Sequence, residues 1–215
     1  MRALSTLVLL ACVARTAAAQ QPAAPSGSSG RPIWVSVGAG ALRGAPISDK
    51  ASGGGWHLQT SAPVTVTFSM PLWGQTIGLR AQTASINLRF TGPACADCAG
   101  RVQGTATLAT WNKTSQMGNS AYNTEIEFAL GMMSWTGLKG RDGNQLPASG
   151  AVHDFAYGLS YGVSRVFSDR LDGLLTLDVL SLTHPIGSAS ATGVHGSGQV
   201  TLYGLRAGLR MQLGG

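Results

Sequence analysis

The chain has 215 residues, 30 of them glycine, and only 11% carry a charged side chain, against about 25% in soluble domains. The net charge of +6 is spread along the chain, which argues against a nucleic-acid-binding stripe or a basic amphipathic helix. The length suits one domain, and no window offers the roughly 20 consecutive apolar residues of a membrane helix.

The amino terminus reads as an export signal. Arg2 is a short positive region, Leu4 to Val13 is apolar, and Ala17-Ala18-Ala19 has the small-residue spacing of a cleavage site. This predicts a signal peptide over residues 1–19, cut before Gln20. A competing reading takes Leu9-Leu10-Ala11-Cys12 as a lipobox with Cys12 lipidated, but the segment ahead of it is short. Cleavage would remove Arg2 and Arg15 and lower the net charge from +6 to +4. Residues 20–32 (QQPAAPSGSSGRP) form a polar leader with no apolar face to bury.

From Ile33 the dominant period is two, the signature of β-strands, whose successive side chains leave opposite faces. The first strand spans about Ile33–Leu42, with Val35, Val37 and Ala39 alternating with Ser36, Gly38 and Gly40. The second, about Trp56–Met70, is clearest at Val64, Val66 and Phe68; Pro63 cannot donate to a ladder, so a bulge or broken pair is expected there. After a turn at Pro71–Gln75, a third strand (about Thr76–Phe90) shows Ile77, Leu79 and Ala81, then Ile86, Leu88 and Phe90. The parity slips between the triplets, which suggests a second bulge. A loop, TGPACADCAG, precedes a weakly alternating fourth strand at about Arg101–Trp111. Lys113–Ser120 turns the chain into a fifth strand, Ala121–Trp135, where Ile126, Phe128 and Leu130 oppose Glu125 and Glu127.

The sixth strand, Asp154–Phe167, is the most informative. One face carries Phe155, Tyr157, Leu159, Tyr161 and Val163; the other carries only Ala156, Gly158, Ser160, Gly162 and Ser164. A soluble sheet would present Lys and Glu on its polar face. Bulky apolar residues on one side and very small ones on the other suit a narrow membrane barrel, with lipid outside and a tight lumen inside. The seventh strand (Gly173–Thr183) and eighth (Gln199–Leu213) repeat the pattern, with Asp178, Arg206 and Arg210 on the inward parity.

Eight strands is an even count, and the links alternate long and short: 43–55, 136–152 and 184–198 are long, 71–75 and 168–172 short. Membrane barrels join strands by short periplasmic turns and longer extracellular loops. Under that topology Trp34, Trp73, Trp111, Tyr122 and Phe167 fall at the periplasmic ends of strands. Trp56, Phe90, Trp135 and Phe155 fall at the extracellular ends. Two aromatic girdles are what bilayer interfaces favour.

The predicted fold is therefore an all-β, eight-stranded, up-and-down antiparallel transmembrane barrel over residues 33–213. In this it resembles the small outer-membrane barrels of diderm bacteria, the OmpA, OmpX and OmpW type. The last strand is similar to the terminal signal read by the barrel-assembly machinery, polar-x-Gly-x-x-apolar-x-apolar: Arg206, Gly208, Met211 and Leu213 fit it, although the family usually ends in an aromatic residue. The resemblance implies outer-membrane residence and, as partners, outer-membrane lipid, lipopolysaccharide and the assembly machinery. It leaves the oligomeric state open.

Three groups of residues carry candidate chemistry. Glu125, Glu127, Asp178, Arg206 and Arg210 face inward, and buried charges are expected to pair, filling the lumen. The sharper alternative is a gate in a small-solute pore, although an eight-stranded lumen is only wide enough for side chains and a large channel is not expected. His57, His153, His184 and His195 map to the extracellular half. His195-Gly196-Ser197 resembles the H-x-S of outer-leaflet lipid A deacylases, but Gly198 replaces the Asn that follows it there. A lipid A-modifying enzyme is thus a third reading, with no catalytic residue assigned, since nucleophile and base must be held rigidly within hydrogen-bond reach. Cys95-Ala-Asp-Cys98 is a lone C-x-x-C; in an oxidising envelope a loop disulfide is expected rather than zinc or a thioredoxin-type site. No cofactor or metal is called for. The reading that results is a structural or surface-interaction barrel with a filled lumen.

Overall fold

The computed structural model describes residues 31–49, 54–92, 95–140, 152–183 and 199–213. The signal segment with Cys12, most of the leader, and His184, His195 and Ser197 lie outside these residues.

The strands are β1 (Ile33–Gly44), β2 (Ile47–Asp49), β3 (Gly54–Leu58), β4 (Val64–Leu72), β5 (Gln75–Gly92), β6 (Cys95–Gln116), β7 (Tyr122–Gly140), β8 (Val152–Ser168), β9 (Leu171–Thr183) and β10 (Gln199–Leu213). Pairing is antiparallel, and β1 bonds both β4 and β10, from Ile33 opposite Leu213 to Gly44 opposite Leu202 on the β10 side. Pairing of β5 with β6 completes the ring β1-β4-β5-β6-β7-β8-β9-β10. The wall is a closed barrel of eight strands; β3 prolongs the course of β4 along β5, and β2 folds back on β3.

The second sequence strand is interrupted where Pro63 lies. β3 stops at Leu58 and β4 starts at Val64. The gap is bridged by Gly40 N–H donating to the Pro63 carbonyl (3.2 Å) and by reciprocal bonds of 2.8 Å between Leu42 and Ser61. Proline has no N–H for the ladder, so the strand breaks around it. The bulge expected in the third strand is absent: β5 pairs β6 without a shift from Thr76 to Phe90, and the irregularity lies between Phe90 and Gly92.

Outward residues are apolar over most of the wall. Phe68, Leu79, Leu130, Tyr161, Leu177 and Leu205 are each 47–62% exposed, a ring of apolar surface that water would not tolerate and lipid requires. Inward positions are small because the wall curves tightly. A Cβ on Gly162 would lie 2.5 Å from the Thr176 methyl and 2.7 Å from the Leu175 carbonyl; one on Gly40 would lie 1.9 Å from the Leu205 carbonyl.

The interior has two tiers. The lower, toward the short turns, is polar and charged. The upper is apolar: Ile86, Leu108, Leu182 and Leu202 are at most 1% exposed and pack with Leu42, Leu58, Val102 and Met133. The expectation of a polar, charged lumen describes only the lower tier. The parity slip in the third strand has its cause here. Ile77 and Leu79 face lipid, whereas Ile86 and Leu88 face the plug.

Candidate functional site in the barrel lumen

The lower tier is built from four strands. Arg80 (β5) points inward between the lipid-facing Leu79 and Ala81, and its guanidinium reaches Glu127 (β7) at 2.5 Å and Asp178 (β9) at 3.6 Å. Arg206 (β10) donates from Nε and Nη2 to the two oxygens of Asp178, each at 3.2 Å, and stands 3.8 Å from Glu127. One turn of the pleat lower, Arg210 spans Glu125 (2.7 Å) and Asp172 (2.7 Å), and its guanidinium lies over the Trp34 ring at 5.6 Å. Ser160 donates to Asp178, and Asn112 to Glu125. Three guanidinium groups therefore face four carboxylates, each buried charge having at least one partner of opposite sign. Such charges are strongly unfavourable alone and tolerable only when paired and hydrogen-bonded.

Beside this network lies a cavity of about 50 Å³, bordered by Thr65, Thr67, Asn112, Glu125, Thr176 and Arg210. The Thr65 and Thr67 hydroxyls have no protein hydrogen-bond partner there. A polar space of this size is suited to water. Above it the axis is closed by the apolar tier, capped by Trp135, whose indole N–H donates to Asp154 at 2.6 Å.

The structure thus pairs all five expected lumen charges in two neighbouring clusters, Glu127, Asp178 and Arg206 with Arg80, and Glu125 and Arg210 with Asp172. Arg80 and Asp172 share parity with lumen residues of their strands, the signal that would have found them. The aromatic positions divide. Trp111, Tyr122, Phe155 and Phe167 face outward, and Trp73 stands at a turn, 91% exposed. Trp34 and Trp135 point into the lumen instead of the girdles, because they share parity with Ser36 and Met133. The side chains of Trp56 and Phe90 lie outside the described set. In β10, Arg206 and Gly208 face the lumen and Met211 and Leu213 face outward, on the strand that closes the barrel against β1.

His57 and His153 are exposed on the outer wall, and Ser134 Oγ is 2.9 Å from His153 Nδ1. Cys95 and Cys98 belong to β6 rather than to a loop; their side chains are outside the described set. In a regular strand their Cα atoms would be about 10 Å apart, beyond the roughly 7 Å that a disulfide spans. A bond between them would have to draw on the register shift that separates Phe90–Cys98 from Gly92–Cys95.

A closed antiparallel wall, apolar outside and ion-paired within, defines a small eight-stranded membrane β-barrel of the outer-membrane type. No family model and no curated sequence matches the chain. Among solved structures it is similar to Neisserial surface protein A (NspA), with a TM-score of 0.60 and 9% identity, covering 84% of this chain and 97% of that one. It is also similar to the outer membrane protein OprG from Pseudomonas aeruginosa, with a TM-score of 0.51 and 12% identity, covering 88% of this chain and 99% of that one. At such identities the likeness is one of fold.

Proposed function

We propose that the protein is a sealed outer-membrane anchor of a diderm bacterium, exported by its N-terminal signal, which presents the segments between its strands to the cell exterior. The observation that carries this reading is the double closure of the lumen. A solute on the axis would have to part the Arg–carboxylate network and then cross a layer with Ile86, Leu108, Leu182 and Leu202 in contact. An ion entering that layer would lose its hydration with nothing to replace it.

The test is conductance in a planar lipid bilayer. The sealed anchor should give no resolved steps. Discrete steps from the wild-type protein would overturn this reading in favour of a small-solute pore. Topology is tested separately on intact cells: protease should cleave within 141–151 or 184–198 and leave the turn at 73–74 untouched.

A further inference from the structure

The lower tier holds more negative charge than positive. Among the described residues three guanidinium groups, Arg80, Arg206 and Arg210, stand against four carboxylates, Glu125, Glu127, Asp172 and Asp178, which leaves one negative charge over. The arginines beside the cavity are already committed. Arg210 donates through Nε, Nη1 and Nη2 to Asp172 and Glu125, and Arg206 through Nε and Nη2 to Asp178. Glu127 accepts from Arg80 through Oε1, and among the described residues no hydrogen bond reaches its Oε2.

Glu127 borders the cavity together with Thr65 and Thr67, which take alternate inward positions on β4. Thr65 is 2% exposed and Thr67 7%, and neither hydroxyl meets a protein partner. Valine has the same shape and would leave no polar atom unmet, so two such hydroxyls call for a polar occupant. Water alone would satisfy the hydroxyls but not the excess charge, which is unfavourable in a space walled by protein and lipid.

We propose that the cavity binds one small monovalent cation, held by Glu127 Oε2 and the hydroxyls of Thr65 and Thr67, with water completing its shell. Carboxylate and hydroxyl oxygens suit a hard cation. No three His, Cys, Asp or Glu side chains converge among the described residues as a metal site of higher charge would need. The cavity, about 50 Å³, takes about three water-sized particles, enough for a small ion that keeps part of its hydration and too little for an organic cation. It reaches Ser69 and Thr76, which are only half-buried and lie close to the β4–β5 turn, while the apolar tier closes the axis above. The ion therefore enters and leaves from the side of the short turns. β4 and β7 are not neighbours in the wall, so the ligands meet only in the closed barrel, and the ion binds the folded state alone.

The experiment is unfolding of the mature protein in a non-ionic detergent near neutral pH, with sodium chloride replacing choline chloride at constant ionic strength. The wild-type unfolding midpoint should rise with sodium and level off as one site fills. Glu127→Gln and the isosteric Thr67→Val should each weaken the apparent sodium affinity about tenfold or more, the loss of one ligand. Thr83→Val, on the outer face, should titrate as wild type. Heat-modifiable migration on gels verifies that each variant is folded, and Thr67→Val decides alone where Glu127→Gln does not fold. A wild-type midpoint that is the same in sodium and choline overturns the cation. A sodium dependence that persists unchanged in folded Thr67→Val overturns the site. Stabilisation by magnesium but not by sodium overturns the monovalent class. Stabilisation by acid in place of sodium, lost in Glu127→Gln, overturns the cation in favour of a proton on Glu127.

Discussion

Glu125 and Arg210 are 85 residues apart in sequence and meet across the lumen at 2.7 Å. Their strands, β7 and β10, are not neighbours in the wall, so the contact exists only because the barrel is closed and narrow. Removing one partner strands the other. Arg210→Ala should therefore cost about 3–5 kcal/mol, while Arg210→Met with Glu125→Leu should cost much less. Denaturant unfolding in detergent, analysed as a double-mutant cycle, measures the difference. A coupling near zero, with wild-type-like stability in Arg210→Ala, would mean that these groups are hydrated.

Arg206 divides its contacts unequally. It makes two hydrogen bonds to Asp178 and only approaches Glu127. The cycle with Asp178 should show the larger coupling and that with Glu127 the smaller. The reverse order would place Arg206 chiefly on Glu127 instead of Asp178.

The outer wall gives a contrast between two arginines. Tyr161 sits among Leu159, Val163 and Leu177 on the lipid face, and Tyr161→Arg should cost roughly 2–4 kcal/mol and impair assembly. Ser85 lies on the outward face of β5 between the exposed Thr83 and Asn87, and Ser85→Arg should be close to neutral. Equal folding yields from the two variants would show that the parity is misread.

Within the upper tier, Leu182 is fully buried. Leu182→Ala should cost about 2–5 kcal/mol, as large-to-small changes in packed cores do. A loss below 0.5 kcal/mol, in the range of ordinary surface substitutions, would indicate that the tier is loosely packed.

The β4–β5 turn consists of Trp73 and Gly74, both at positive φ, 50° and 73°. Such two-residue hairpin turns favour Asn-Gly, and a left-handed residue other than glycine is strained by about 1–2 kcal/mol. Trp73→Asn should therefore stabilise the protein by up to about 1 kcal/mol in detergent, where no bilayer interface rewards the indole. A destabilised variant would reveal an indole contact that outweighs the strain.

How far these relations were legible in the sequence depends on what each face touches. Where the wall has lipid on one side and polar lumen on the other, as at Val64–Met70 and Asp154–Phe167, simple alternation located the strands and their inward residues. At Arg101–Trp111 both signals weaken together. Thr105 and Gln103 face outward while Ala106 and Leu108 face a dry interior, so apolar residues no longer mark the lipid side. That inversion also made Ile86 and Leu88 look like a register slip. β6 runs to both sides of the expected strand, from Cys95 to Gln116, because backbone pairing with β5 and β7 continues where side-chain pattern does not. For Trp34 and Trp135, height along the strand points to the girdles, but parity turns both into the lumen. Arg80 is masked in the sequence by the apolar triplet that it interrupts, although its position between Leu79 and Ala81 fixes its direction.

The two charge clusters draw Arg80 from the early part of the chain and Arg206 and Arg210 from its last strand, and each holds its arginines on carboxylates of β7 and β9. None of these groups lies on the β1–β10 seam as a pair, yet opening that seam would loosen every one of them by widening the ring. The clusters together therefore act like a keystone. In a partly zipped sheet the same ions remain wet and contribute little, and only the last strand to dock brings Arg206 and Arg210 onto their carboxylates. Intermediates with the seam open should then be sparsely populated, and the passage between open sheet and closed barrel should behave as a single step.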